Sequence, residues 1–207
     1  CRIKLFPKVR EFIRSFKRNI RLFSLRVNLI VSSFYLEEKR MVLKKEWRNS
    51  DATRKEIMPA LLNNQGGYIC VFDTETTGLD DYAKIIQFSA VRYKIEDDFT
   101  LTECDYFNTY INPKEPLSDV ITEITGITDE ILKDKPTEEL VAPYIISYMN
   151  GCNLWSAYNQ SFDLKKLEGM CKRTNIEFAQ KPSLDVLIMA RELFLIKHVG
   201  LVPVCII

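Results

Sequence analysis

Asp73 and Glu75, two residues apart in the run Val71-Phe72-Asp73-Thr74-Glu75-Thr76-Thr77-Gly78-Leu79, are the side chains of this sequence with the clearest chemical use. Gly66-Gly67 marks a turn ahead of them, and Tyr68 to Phe72 is a short run of apolar, β-favouring residues that reads as a buried strand. Side chains alternate between the two faces of a strand, so both carboxylates point the same way. Acids that close raise one another's pKa unless a cation sits between them. The motif contains neither His nor Cys, and an all-oxygen donor set favours hard ions, Mg²⁺ or Mn²⁺, over zinc. Gly78 places no Cβ between the following backbone and a ligand. Without the surrounding string, a D-x-E pair at the solvated end of a strand would carry no meaning.

A third acid stands in Tyr158-Asn159-Gln160-Ser161-Phe162-Asp163. Leu154 to Tyr158 reads as a strand, Asn159 as an N-cap, and Gln160 to Cys171 as a helix with Phe162, Leu164 and Leu167 in its apolar pattern. Asp163 falls in the first helical turn, where the helix dipole favours negative charge; taken alone, that is sufficient reason for its presence.

The string D-T-E-T-T-G-L after an apolar strand resembles the first motif of the DEDD exonucleases, the DnaQ-like family of 3′-to-5′ exonucleases that includes polymerase proofreading subunits. The 158–163 segment matches the family's H-N-x-x-F-D in Asn, Phe and Asp, with Tyr158 in place of His. Ile111-Asn112-Pro113 and Ile124-Thr125-Gly126-Ile127-Thr128 are similar to its I-N-P and I-H-G-I-T segments. There Ser118 or Asp119 caps one short helix and Thr128 another, with Asp129 and Glu130 in its first turn. Ser183 to Arg191 is similar to the family's D-T-L-x-L-A-R helix; Asp185, just after Pro182 and Ser183, is assigned to helix capping and not to a metal.

The resemblance implies an RNase H-like α/β fold, a mixed central sheet flanked by helices, incomplete at the C-terminus. It implies a two-metal phosphodiester hydrolysis in which Asp73, Glu75 and Asp163 hold two divalent cations, Mg²⁺ or Mn²⁺. Thr77, Leu79 and Asn159 would line the pocket for the terminal nucleotide of a single-stranded DNA or RNA 3′ end, and a DNA polymerase is the implied partner. The family's last motif, a general-base His followed by a fourth metal-binding Asp, has no match. The position that H-x-x-x-x-D needs after His198 is Pro203, and no acid follows Glu192. A general base contributes ~10²–10⁴-fold, so the expectation is a truncated copy with impaired hydrolysis. The rival expectation is a non-catalytic module that keeps the fold to bind nucleic acid or a polymerase.

The elements that must position these acids start near Gly66. Strands are expected over Tyr68 to Phe72, Ile85 to Ile95, Leu101 to Ile111 and Cys152 to Tyr158, the first three able to form an antiparallel meander, with helices between and after. The exonuclease-like domain is placed at 66–207 and a linker at 46–65.

Residues 1–45 are of different material. The chain opens on Cys1, and through Lys45 there are 13 lysines and arginines against 3 acids, whereas the remainder has 16 against 25; the total of +1 hides the split. Ile3, Phe6, Val9, Phe12, Phe16, Ile20 and Phe23 recur at helical spacing among the cations. Three readings stay open: a helix docking nucleic acid or a partner, a membrane-surface helix, or a non-native extension before a start at Met41. Arg26 interrupts the apolar stretch from Leu22 to Leu36, against a transmembrane segment. Six cysteines without a C-x-x-C pair fit a reducing, cytoplasmic setting, with Cys70 a small core hydrophobe.

Overall fold

The computed structural model describes residues 63–97 and 101–188. The basic extension at 1–45, most of the linker, His198 and the closing 199–207 segment lie outside the described residues.

Strand β1 (Tyr68–Thr76) follows a turn that needs both of its glycines. Gly66 has φ +77°, a left-handed value, and a Cβ on Gly67 would come within 2.6 Å of Asn153 Oδ1, the atom that accepts the Tyr68 N–H. β2 (Ile85–Ile95) and β3 (Leu101–Tyr110) extend the sheet as the antiparallel meander the alternating pattern predicts. β4 (Leu154–Ala157) and β5 (Ser183–Asp185) add on the other side of β1 in parallel, giving a five-stranded mixed sheet in the order β3-β2-β1-β4-β5.

Four helices accompany the sheet among the described residues: α1 (Asp119–Thr125), α2 (Asp129–Leu132), α3 (Glu138–Asn150) and α4 (Gln160–Thr174). Ser118 caps α1 by accepting the Ile121 N–H, and Thr128 caps α2 by accepting that of Ile131. α3 turns Val141, Ala142, Ile145, Ile146 and Met149 inward at helical spacing, and α4 adds Leu167, Met170 and Cys171. These meet Cys70, Phe72, Phe88 and Trp155 of the sheet in the main core. Ile85 belongs to that core, while its neighbour Ile86 packs with Ile127 and Leu132 around α2; adjacent strand residues face opposite ways, so helices cover both faces at this end. Cys70, Cys152 and Cys171 are buried free thiols.

Two expectations need correction. Residues 183–185 form a strand paired to Trp155–Ala157 before any helix starts, whereas the pattern predicts helix from Ser183. The inward stripe of α4 runs through Gln160, Asp163, Lys166, Leu167 and Met170, leaving Phe162 half-buried and off the main core, while Leu164, also half-buried, packs against it. The stripe is rotated because two charged side chains, Asp163 and Lys166, find partners inside.

Candidate active site

β1 is longer than its parallel neighbour. Its pairing with β4 stops at Val71↔Ser156, while its pairing with β2 continues through Asp73↔Ser89 and Glu75↔Gln87. Past Val71 the β4 side of β1 therefore needs other partners for its backbone. α4 supplies one: Asp163 Oδ1 accepts the Thr74 N–H at 3.0 Å and the Thr74 hydroxyl at 2.7 Å. That contact brings a carboxylate from 90 residues along the chain against the strand that carries Asp73 and Glu75.

Burial, and then the Asp73 charge, raises the acids. Burial lifts the Asp73 carboxyl to about 6, with the Thr74 amide pulling the other way. Burial and then the Asp73 charge push Glu75 to about 7. Asp163 also reaches about 7, through burial first and Asp73 second, against the opposing Thr74 hydrogen bonds. Tyr110, across Gln87 from Glu75, is raised by burial and by the Glu75 charge. Among the described residues no lysine or arginine forms an ion pair with any of the three acids. Three desolvated carboxylates without a protein counter-charge are the chemistry a hard cation answers. As the side chains stand, however, no group of three or more His, Cys, Asp or Glu among the described residues is gathered tightly enough to hold an ion. The donor set fits Mg²⁺ or Mn²⁺ in chemistry, and holding one requires the carboxylates to swing together.

The residues assigned to the nucleotide pocket take three different positions. Leu79 is 84% exposed, on the loop that leaves β1. Thr77 closes that loop: its N–H donates to Lys84 O at 2.9 Å and its hydroxyl accepts the Lys84 N–H at 3.1 Å. Asn159 does not cap α4 with its side chain; it sits in the left-handed region at φ 56°, which Asn tolerates. The cap comes from Asp185, whose carboxylate accepts the N–H groups of Asn159 (3.2 Å), Gln160 (3.1 Å) and Leu187 (2.8 Å). Asp185 thus caps helices, as expected, but chiefly one far away in sequence. At Gly78 a Cβ would meet nothing nearer than 3.6 Å, so packing alone does not require glycine there.

Sequence reasoning missed Thr74, whose backbone and hydroxyl seat Asp163, and Lys166, whose ammonium reaches the Leu79 and Asp80 carbonyls. Thr74 left no signal of its own. Lys166 left a faint one, a cation three residues after Asp163 on the same helical face.

A family model described as exonuclease matches residues 70–197. The DNA polymerase III PolC-type protein of Bacillus cereus is 38% identical over 125 residues, covering 60% of this chain and 8% of that protein. Its Bacillus subtilis counterpart is 37% identical over 126 residues, again 60% and 8%. The chain therefore spans less than a tenth of the length of these curated relatives. Among solved structures, E. coli exonuclease I in complex with a 5cy-dA13 oligonucleotide superposes with a TM-score of 0.55 at 21% identity, over 63% of this chain and 30% of that one. The zinc-bound form of its single-stranded DNA complex gives 0.55 at 21%, over 64% and 30%. At that identity the likeness shows the fold, an RNase H-like mixed sheet flanked by helices. The family match covers more than half of the sequence and includes β1 with its paired acids and α4 with the third, so the chain belongs to the exonuclease family, the DnaQ-like 3′-to-5′ hydrolases.

Proposed function

We propose that this domain removes nucleotides from the 3′ ends of single-stranded DNA or RNA, using Asp73, Glu75 and Asp163 to hold two divalent cations, Mg²⁺ or Mn²⁺. The observation that carries the reading is one buried carboxylate, Asp163, set against the strand that carries the half-buried Asp73 and Glu75, all three with raised pKa and none paired to a basic side chain among the described residues. Bound cations would supply an activated water and a counter-charge for the leaving 3′ oxygen. The chain's own residues prepare the rest. Asp73, whose charge raises both other carboxyls, would hold the cations together with Glu75 and Asp163. Thr74 holds one edge of Asp163 so that the helix carboxylate faces the strand. Leu79, exposed on the loop after β1, offers an apolar surface to the last base; Thr77 keeps that loop closed and Asn159 lies at the start of α4.

The name of the relatives, DNA polymerase III PolC-type, supports work in company with a DNA polymerase. A second reading, a module that binds strands without cutting them, draws on Asp185: the carboxylate of β5 already accepts from three N–H groups. Linear and circular single strands separate end-dependent cutting from other outcomes. With Mn²⁺ the full chain should shorten a linear strand from its 3′ end and leave a circular strand intact. Cutting of the circle would contradict the exonuclease reading, and binding without shortening of either would favour the second.

A further inference from the structure

Lys166 is 3% exposed, yet among the described residues no carboxylate stands within ion-pair distance of it, the charges of Asp80 and Asp81 acting on it from farther off. Its ammonium lies 4.8 Å from the centre of the Phe162 ring and donates to two consecutive backbone carbonyls, Leu79 O at 3.1 Å and Asp80 O. Burying a lysine is unfavourable, and an aliphatic residue would fill a core position on α4 at lower cost. What the ammonium holds is therefore informative. The loop it grips gives little to the core: Leu79 is 84% and Tyr82 88% exposed. The same loop is stiffened from within by the Thr76 hydroxyl on Gly78 O (2.7 Å) and by the Asp80 carboxylate accepting the Tyr82 N–H (2.8 Å). An exposed loop with apolar side chains, held rigid from both sides next to three acids, is built to present those side chains to something outside the protein. Lys166 follows Asp163 by less than one helical turn, so a single stretch of α4 seats the third acid on β1 and clamps the loop that leaves β1.

We propose that Lys166 is a positioning residue for the 3′-terminal nucleotide, fixing the backbone at Leu79 and Asp80 so that Leu79 meets the terminal base beside the acids. The inference rests on the exonuclease reading above and assigns to Lys166 no contact with the substrate. A test uses the full chain with Mn²⁺ and fluorescein-labelled oligothymidine, its linkages phosphorothioate so that it persists, in linear form and closed into a circle. Fluorescence anisotropy then reports binding with and without a free 3′ end. Lys166→Met, which keeps the stem and removes the donors, should weaken binding of the linear strand about fivefold and leave the circle unchanged. Leu79→Ala, at an exposed position, should weaken the linear strand to a similar degree, and the double variant should be no weaker than Lys166→Met alone, since the lysine acts through the leucine. Equal loss on both strands, unchanged binding of the linear strand, or additive losses would overturn the inference while leaving the exonuclease reading standing. Failure of the wild-type chain to prefer the linear strand would remove that reading and this inference together.

Discussion

Asp73 holds its proton more tightly in the fold than in the open chain, with a pKa of about 6 against an ordinary 3.8. For a raised acid the sign is fixed: the folded state is favoured below the unfolded value, and that advantage is lost as pH rises through the folded value. In metal-free protein the site thus destabilises the fold increasingly between about pH 4 and 6, and Glu75 and Asp163 extend the window to about 7. Asp73→Asn should stabilise the metal-free chain by about 1–2 kcal/mol at pH 8, read as a higher Tm, with the difference gone at pH 4. Mn²⁺ should raise the Tm of the wild type and not of the variant, and its apparent affinity should weaken as pH falls below about 7, because protons compete for Glu75 and Asp163. An unchanged Tm in Asp73→Asn at pH 8 would show that the carboxyl is solvated. At this scale the sequence is legible where chemistry and spacing coincide: the motifs single out Asp73, Glu75 and Asp163, and the fold sets Asp163 against the strand that carries the other two. Thr74 is not singled out, because its role depends on an acid 89 positions away.

Asp185 shows why elements are harder to read than residues. A capping role was legible from its place after Pro182 and Ser183, but the helix it chiefly caps starts at Gln160, joined to it only because β5 pairs with β4. A three-residue strand has no periodicity of its own; its existence is decided by a partner made elsewhere in the chain. The long alternating strand Ile85–Ile95 carries its own signal and is legible to the residue, whereas β1 runs on to Thr76, past the apolar stretch that ends at Phe72. Asp185→Ala removes an acceptor for three N–H groups and should lower stability by about 1–2 kcal/mol in urea unfolding. The stabilisation by Mn²⁺ should persist in this variant. Loss of the Mn²⁺ effect would make Asp185 a ligand instead of a cap.

Across the whole molecule, the site exists because the sheet changes character at β1. On one side lies an antiparallel meander, on the other a parallel pair, and β1 outruns the parallel side by several residues. That overhang leaves backbone groups for α4 to satisfy, and the same helix brings in the acid and the lysine that organise the loop beyond. The meander was legible from alternation, while the parallel half and the rotation of α4 depend on contacts between distant segments. No helix among the described residues is long and apolar enough to cross a membrane. Removal of the 3′-terminal nucleotide from a 3′-labelled single strand, with Mn²⁺ present or chelated, tests the assembled site most directly. Wild-type chain should release the label slowly, only with the metal present, and Asp73→Ala should release at least about 10²-fold less. Release that survives chelation or the loss of Asp73 would contradict a metal site built on β1.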